Sequence, residues 1–423
     1  MRGMVETVDR LFVHARELVT LADGPERGAR RGAAMQDLGV VSDGAIAVRD
    51  GRIVAVGPTD EVARSYRAPI EHDLGGTVVL PGFVDCHTHP VFAATREDEF
   101  HMRCQGADYM AIAAAGGGIL SSVRALRAAT EDELYARTMR VFDGFLQAGT
   151  TTIEGKSGYG LSVDDEVKSL RAMTRARDAH PLDVVRTFLG AHEVPLEYRE
   201  HRDAYVDLVI DEMLPAVQGL CEACDVFAEP GVFDLEQSRR ILSAAKARGL
   251  RLRIHADEIR PMGGAELAVE LGADSADHLP QVSEAGIRAL AGSDTTAVLL
   301  PGTSFYLGKP KHAPGRALID AGAAVALATD YNPGSCHTQS MPLIVTLACV
   351  LLHMGPEECI VATTINPAAS LGLDGEVGTL HVGKQADFVA LDLPSHRALG
   401  YVFGGSPTVV TVKRGEPVWP KPR

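Results

Sequence analysis

The sequence predicts an α/β fold: a (β/α)8 TIM-like barrel carrying a small β-sandwich domain formed by both chain ends. Three observations predict it. Short β-type runs alternate with longer amphipathic stretches through the middle of the 423 residues, as parallel βα units do. Eight such runs can be counted, over a length that suits a closed barrel. Both flanks read instead as short antiparallel strands broken by glycines.

In chain order, the leading flank comes first. Residues 36–80 alternate through Ala45, Ile46, Ala47 and Val48, then Arg52 to Val56, with Gly51, Gly57 and Pro58 as breaks. Barrel strands are expected at 83–89, 150–156, 184–192, 225–229, 252–257, 275–278, 297–302 and 325–330. Helical patterns lie between them at 131–147, 164–179, 235–247 and 265–271. No G-x-G-x-x-G follows the first strand, which sets a doubly wound dinucleotide fold aside. The tail returns to β patterning at 386–391 and 408–414, with Gly375, Gly378 and Gly383 marking turns. Neither flank alone can build a core, so 1–80 and 372–423 are expected to share one domain while 81–371 form the barrel.

Composition narrows the function. Hydrophobic residues make up 46% and charged residues 23%, so a large core is available and disorder is not expected. A formal charge of −15 argues against nucleic acid and anionic membranes, since no basic surplus exists to displace counterions. An anionic substrate would need local positive charge, which singles out arginines near the catalytic motif. No stretch reaches the roughly 18 to 20 apolar residues of a membrane span. Glu6, Asp9, Arg10 and Arg16 interrupt the N-terminal segment where a secretory signal would be apolar. Seven cysteines, an odd number, suit a reducing compartment, so a cytoplasmic location is expected. The lone C-x-x-C of Cys221 and Cys224 reads as partly buried thiols rather than a zinc or redox pair.

Asp85-Cys86-His87-Thr88-His89 ends the first expected barrel strand. Side chains at i and i+2 of an extended strand point the same way, so His87 and His89 can grip one ion together. The fifth strand ends in His255-Ala256-Asp257-Glu258, the sixth in Asp277-His278, the eighth in Thr329-Asp330. Those strand ends share the C-terminal rim, where barrel enzymes place catalysis. Three of the imidazoles of His87, His89, His255 and His278, with the carboxylate of Asp330, make a ligand set for one divalent metal, Zn2+ or Fe2+/Fe3+, with a position open for water. Asp85 and Asp257 adjoin ligands and either orient imidazoles or simply lie in the core or in solvent.

This set of H-x-H, His-x-x-Glu, His and Asp resembles the mononuclear, deaminase-like branch of the amidohydrolase superfamily. Binuclear relatives carry a carboxylated lysine at the end of the fourth strand. Here that strand ends at Glu229 while Lys156 ends the second, which implies one metal. The flank from Leu80 to Asp85, the run Asn366-Pro367-Ala368 and the stretch from Gly383 to Asp387 also resemble the superfamily. Within it the chain resembles the imidazolonepropionase family along nearly its whole length. The segments are Gly116-Gly117-Gly118-Ile119-Leu120, the run from Glu154 to Leu161 (with Lys156-Ser157-Gly158-Tyr159-Gly160 the most specific), Gly190 to Pro195, His255 to Glu258, and Asp330 to Gly334. Gly155 stands where that family more often has an aliphatic residue.

The resemblance implies hydrolysis of 4-imidazolone-5-propanoate to N-formimino-L-glutamate in histidine catabolism. Glu258 is assigned as general base, and His278 polarises the carbonyl or is a further metal ligand. Substrate-binding positions fall on Arg96, Tyr159, His192, Glu258, Asn332, Gly334 and Ser335, with Arg96 suited to fork onto the propionate. Tyr109 and the glycines 116–118 are left outside that set. A small anionic substrate and a homodimer are implied, with no nucleic acid and no membrane. The competing enzyme reading is a cytosine-, guanine- or adenosine-type deaminase, in which a neutral base would not require Arg96.

Overall fold

A computed structural model describes residues 5–107 and 116–421. Eight parallel strands follow one another around the barrel in chain order: β1 Phe83–Asp85, β2 Thr150–Lys156, β3 Asp183–Ala191, β4 Ala223–Ala228, β5 Arg251–Ala256, β6 Ser275–His278, β7 Thr296–Leu299 and β8 Val325–Leu327. All eight lie on the expected runs, though the rim ends differ. Where 83–89 reads as one strand, β1 leaves the ladder after Asp85. At β7 the strand stops because Pro301 opens the helix Pro301–Tyr306, where its missing N–H is no loss.

The seam between β8 and β1 closes above the strands themselves. Asp330 N donates to His87 O at 3.0 Å and His89 N to Tyr331 O at 2.8 Å. Below them Asp85 accepts from Thr329 twice, from the amide at 3.1 Å and the hydroxyl at 2.6 Å. The metal-ligand candidates of the first and last strands are thus held in register by the bonds that close the barrel.

The helices wrap outside. Thr130 and Asp234 begin Glu131–Gln147 and Leu235–Ala247 with capping boxes, satisfying amides at each N-terminus. Their apolar faces and the strands' outer faces make one large core including Phe142, Phe145, Met173, Phe188 and Ile241. Gly155 fits here: a Cβ on it would meet Met173 Sδ at 2.7 Å, so Met173 occupies the space a side chain would take.

Both chain ends build a second, mainly antiparallel sheet, ordered Glu416–Trp419, Thr408–Lys413, Phe388–Leu391, Val78–Pro81, Arg10–Val19, Val40–Arg49 and Arg52–Pro58, with Ile70–Asp73 also on Arg10–Val19. The sheet curls so that Ile53 N donates to Lys384 O (3.0 Å) and Gly383 N to Ile53 O (2.8 Å). Phe12, Ile46, Phe388 and Val412, from both ends of the chain, meet inside the curl. Among the described residues no helix is long and apolar enough to cross a membrane. Cys221 and Cys224 are buried free thiols, outside the groupings able to hold a metal.

Candidate metal centre and active site

At the C-terminal rim the backbone itself is bent to present side chains. Asp257, His278, Leu279 and Asp330 adopt positive φ, between 51° and 80°, a conformation that non-glycine residues hold only where surrounding bonds enforce it. Asp257 supplies part of that enforcement. Its carboxylate accepts from the amides of Met262, Gly263 and Ala265 at 2.7 to 3.0 Å, so it organises the loop and the helix after β5 rather than an imidazole. Asp85 likewise serves the seam.

The ligand candidates converge. His87, His89, His255, His278 and Asp330 are all buried, and the His87 ring lies 5.3 Å from His89, 4.5 Å from His255 and 5.4 Å from His278. Two overlapping groupings result, His87 with His89 and Asp330, and His87 with His255 and His278, each with its ligand atoms within 4.8 Å of one another. His278 therefore sits close enough to join the ligands as well as to face a substrate. Asp330 Oδ1 lies 3.6 Å from His87 Nε2 and 3.4 Å from His89 Nε2. Neither His87 Nε2 nor Asp330 Oδ1 has a hydrogen-bond partner, although both are buried. Orphaned donors and acceptors are costly in a protein interior, and a cation between these atoms removes the cost.

Electrostatics favours the ligating state at every member of the set except His255, where burial is outweighed by the neighbouring Asp225 carboxylate and the pKa is raised. Burial depresses the pKa of His89 and holds His87 well below the ordinary range, with Lys156 adding to the effect at His87. His278 is pulled down to about 4 by burial. Neutral imidazoles have a free lone pair. Asp330 is opposed by burial, but His89 and His278 outweigh it and hold its pKa at about 2, so it is anionic.

A cavity of about 420 Å³ opens onto this cluster, within the range of small-molecule sites. It is lined by His89, Arg96, Tyr159, His192, His255, Glu258, His278, Asp330, Asn332, Gly334 and Ser335, so every predicted site residue but one faces it; His87 lies beneath. Glu258 comes within 3.8 Å of His278 Nε2, and burial, then the Asp330 charge, raise its pKa to about 7. Its loop is pinned by Glu229, which accepts from the amides of Ile259 and Arg260 at 3.1 and 2.8 Å.

The relatives place this geometry in a family. The model of the amidohydrolase family matches residues 78–418, and an imidazolonepropionase-like composite domain of bacteria matches residues 44–68. The imidazolonepropionase of Symbiobacterium thermophilum is 52% identical over 414 residues, covering 96% of each chain. That of Geobacillus kaustophilus is 49% identical, covering 96% of this chain and 97% of its own. The chain belongs to the imidazolonepropionase family of amidohydrolases. Among solved structures, a zinc-bound adenosine deaminase of Xanthomonas campestris shares the fold, with a TM-score of 0.71 at 20% identity, over 98% of this chain and 93% of that one.

Against the family's expected substrate positions, three details differ from the sequence reading. Arg96 does line the cavity, but its Nε and Nη2 already fork onto Glu99 at 2.9 and 2.6 Å, leaving only the Nη1 side for an incoming anion. Asn332 spends its amide on its own loop: Oδ1 accepts from Gly334 N and Ser335 N at 2.8 and 2.7 Å, and Nδ2 donates to Asp330 O and Ser335 Oγ. The amides of Gly334 and Ser335 are thereby taken. Gly334 contributes space, since a Cβ there would fall 2.0 Å from Arg96 Nη1. Tyr159 and His192 line the cavity. Glu166 accepts from the amides of Gly158, Gly160 and Leu161 at 2.8 to 3.0 Å, fixing the loop that carries Tyr159. His192 Nδ1 donates to Gly158 O at 2.9 Å, which leaves Nε2 as an acceptor.

Sequence reading missed the residues behind this constellation: Asp277, whose Oδ2 is 2.7 Å from His87 Nδ1; Asp225, 3.0 Å from His255 Nδ1; and Thr303, whose hydroxyl donates to Asp330. Arg103 and Lys309 also line the cavity, with the apolar walls Phe227, Ile259 and Leu307. Tyr109 lies outside the described residues.

Proposed function

We propose that this chain hydrolyses 4-imidazolone-5-propanoate to N-formimino-L-glutamate, using one divalent ion held by His87, His89, His255 and Asp330. The observation that carries the reading is one cavity in which the orphaned ligand atoms, Glu258 and Arg96 come together. Three imidazoles and a carboxylate suit Zn2+ and Fe2+ alike. A divalent ion there supplies Lewis-acid polarisation of the ring carbonyl and lowers the pKa of the attacking water.

The chain's own residues do the rest. Glu258, its pKa near neutrality, takes a proton from that water and delivers it to the ring nitrogen as the C–N amide bond breaks. The new C–O bond turns the ring carbonyl into the product's carboxylate. His278, neutral at pH 7, donates one N–H to the oxygen on which negative charge develops. Tyr159 has its phenol pKa raised by burial, so it stays a donor, while His192 Nε2 accepts from a ring N–H. Nη1 of Arg96 receives the propionate carboxylate. The reaction runs in the cytoplasm, a setting that suits seven free cysteines.

The test is Glu258→Gln. It retains zinc at wild-type stoichiometry and holds KM within a few-fold, while kcat falls at least ~100-fold. Turnover within tenfold of wild type would remove Glu258 from the chemistry.

A further inference from the structure

Beneath the metal centre lies a buried charge cluster that the mechanism above does not use. Lys156, the last residue of β2, is fully buried. Its Nζ lies 2.8 Å from Glu154 Oε1, 2.7 Å from Asp225 Oδ2 and 3.8 Å from Asp277 Oδ2. Two of these carboxylates reach upward. Asp277 Oδ2 is 2.7 Å from His87 Nδ1, and Asp225 Oδ2 is 3.0 Å from His255 Nδ1. One ammonium group therefore stands behind two imidazoles that come from different strands.

Such a cluster is a poor device for stability alone. Fully buried ion pairs lose so much hydration that well-packed apolar side chains of similar volume usually serve as well or better. A barrel interior that keeps Lys156, Glu154, Asp225 and Asp277 together has another reason to do so. Each imidazole has two nitrogens, and only one can face the ion. A carboxylate at Nδ1 turns the ring and leaves Nε2 with its lone pair forward: Asp277 does so by accepting the His87 N–H, Asp225 by its charge beside His255, whose Nδ1 makes no hydrogen bond. The carboxylates, fully buried, in turn need a fixed cation. Arg253 is the other buried cation nearby, with Nε 3.9 Å from Glu154, but its guanidinium bonds to Cys86 O, Ser275 and Ser370 rather than to Asp225 or Asp277.

We propose that Lys156 is a positioning residue for the metal centre, holding Asp277 and Asp225 where they orient His87 and His255 with Nε2 toward the ion. This rests on the reading of those histidines as ligands. The lysine's hydrocarbon stem rises from the β2 end of the Lys156-Ser157-Gly158-Tyr159-Gly160 run, so one segment serves both the metal from below and the substrate through Tyr159. Burial works against the ammonium charge, but Asp225, Glu154 and Asp277 more than reverse it and raise its pKa.

The experiment compares zinc affinity of the chelator-stripped full chain, by competition with a chromophoric chelator, in wild type and Lys156→Met. The expected result is a zinc dissociation constant ~10- to 100-fold weaker in the variant, the loss typical when a ligand's supporting partner is removed. At saturating zinc, kcat is lowered and KM stays within threefold. The thermal midpoint of the zinc-free protein reports any contribution to folding separately. If Lys156→Met is insoluble, Lys156→Met/Glu154→Gln removes one carboxylate with the cation, touches neither histidine's partner, and carries the same expectation. Zinc affinity within threefold of wild type in the soluble variant overturns the proposal and leaves Lys156 a stabilising residue only. Failure of the wild type itself to bind zinc overturns the ligand reading, and the proposal with it.

Discussion

Arg96 meets the substrate side of the cavity with one hand already occupied. Its fork onto Glu99, which also accepts from Gly118 N and the Ser121 hydroxyl at 3.0 Å, fixes the guanidinium without neutral flexibility. Removing it in Arg96→Ala is expected to raise KM ~10- to 100-fold, the worth of one charge-assisted hydrogen bond, with zinc content unchanged. Arg96→Lys should not restore KM, because an ammonium cannot hold Glu99 through two parallel donors and still offer a third to a carboxylate. Loss of zinc in Arg96→Ala would show that the arginine serves the metal loop instead. Glu258 adds a pH signature. As a base it works ionised, so kcat/KM falls as pH drops through its pKa, at about 7 or lower once a cation stands beside it. That acid limb disappears in the residual activity of Glu258→Gln. Residues such as His87, His89, His255 and Asp330 were readable in the sequence because they end or closely follow expected barrel strands, which places them at the C-terminal rim. Asp277 and Glu99 were not: Asp277 meets an imidazole 190 positions away, a pairing that exists only once the barrel has closed.

At the scale of elements, the seam between β8 and β1 is where folding and ligation share bonds. Asp85 is fully buried there and its pKa is raised to about 7, burial outweighing the bonds from Thr329. A carboxyl with a folded pKa above its unfolded one binds more protons in the folded state between those values. Its contribution is therefore full at low pH and is lost as pH rises from about 4 to about 7. Asp85→Asn, which still accepts from Thr329 N and can donate to the hydroxyl, is expected to flatten that dependence in thermal unfolding of the zinc-free protein. Asp85→Ala orphans the Thr329 amide and hydroxyl and should cost about 1–3 kcal/mol. An Asn variant with the wild-type pH profile would place the titration elsewhere. The eight strands and the four named helices were readable from alternation and periodicity. The early ends of β1 and β8 were not, because the hydrogen bonds of the rim segments that follow pass to each other instead of to a ladder.

For the whole molecule, the sheet made by the two chain ends is fastened to the barrel by charge as well as packing. Lys413 is buried against Asp387 and against Asp183 at the start of β3, its Nζ 2.6 Å from Asp183 Oδ2, and Arg414 pairs with Asp183 from the surface. Lys413→Met leaves the buried Asp387 uncompensated and is expected to cost about 3–5 kcal/mol in unfolding without altering KM. A net charge of −15 surrounds a cavity whose lining holds Arg96, Arg103 and Lys309, local positive charge for an entering anion. That both ends would share one sheet followed from their shortness; the curl that brings residue 53 onto 384 did not, since strand order is set by twist and long-range pairing. The central claim is that His87, His89, His255 and Asp330 hold one ion without which the ring is not opened. It is tested most directly by stripping the protein with a chelator and following loss of imidazolone propanoate as zinc is returned. The account predicts no turnover in the stripped protein and recovery that saturates at one zinc per chain. Turnover that survives complete removal of metal would contradict it.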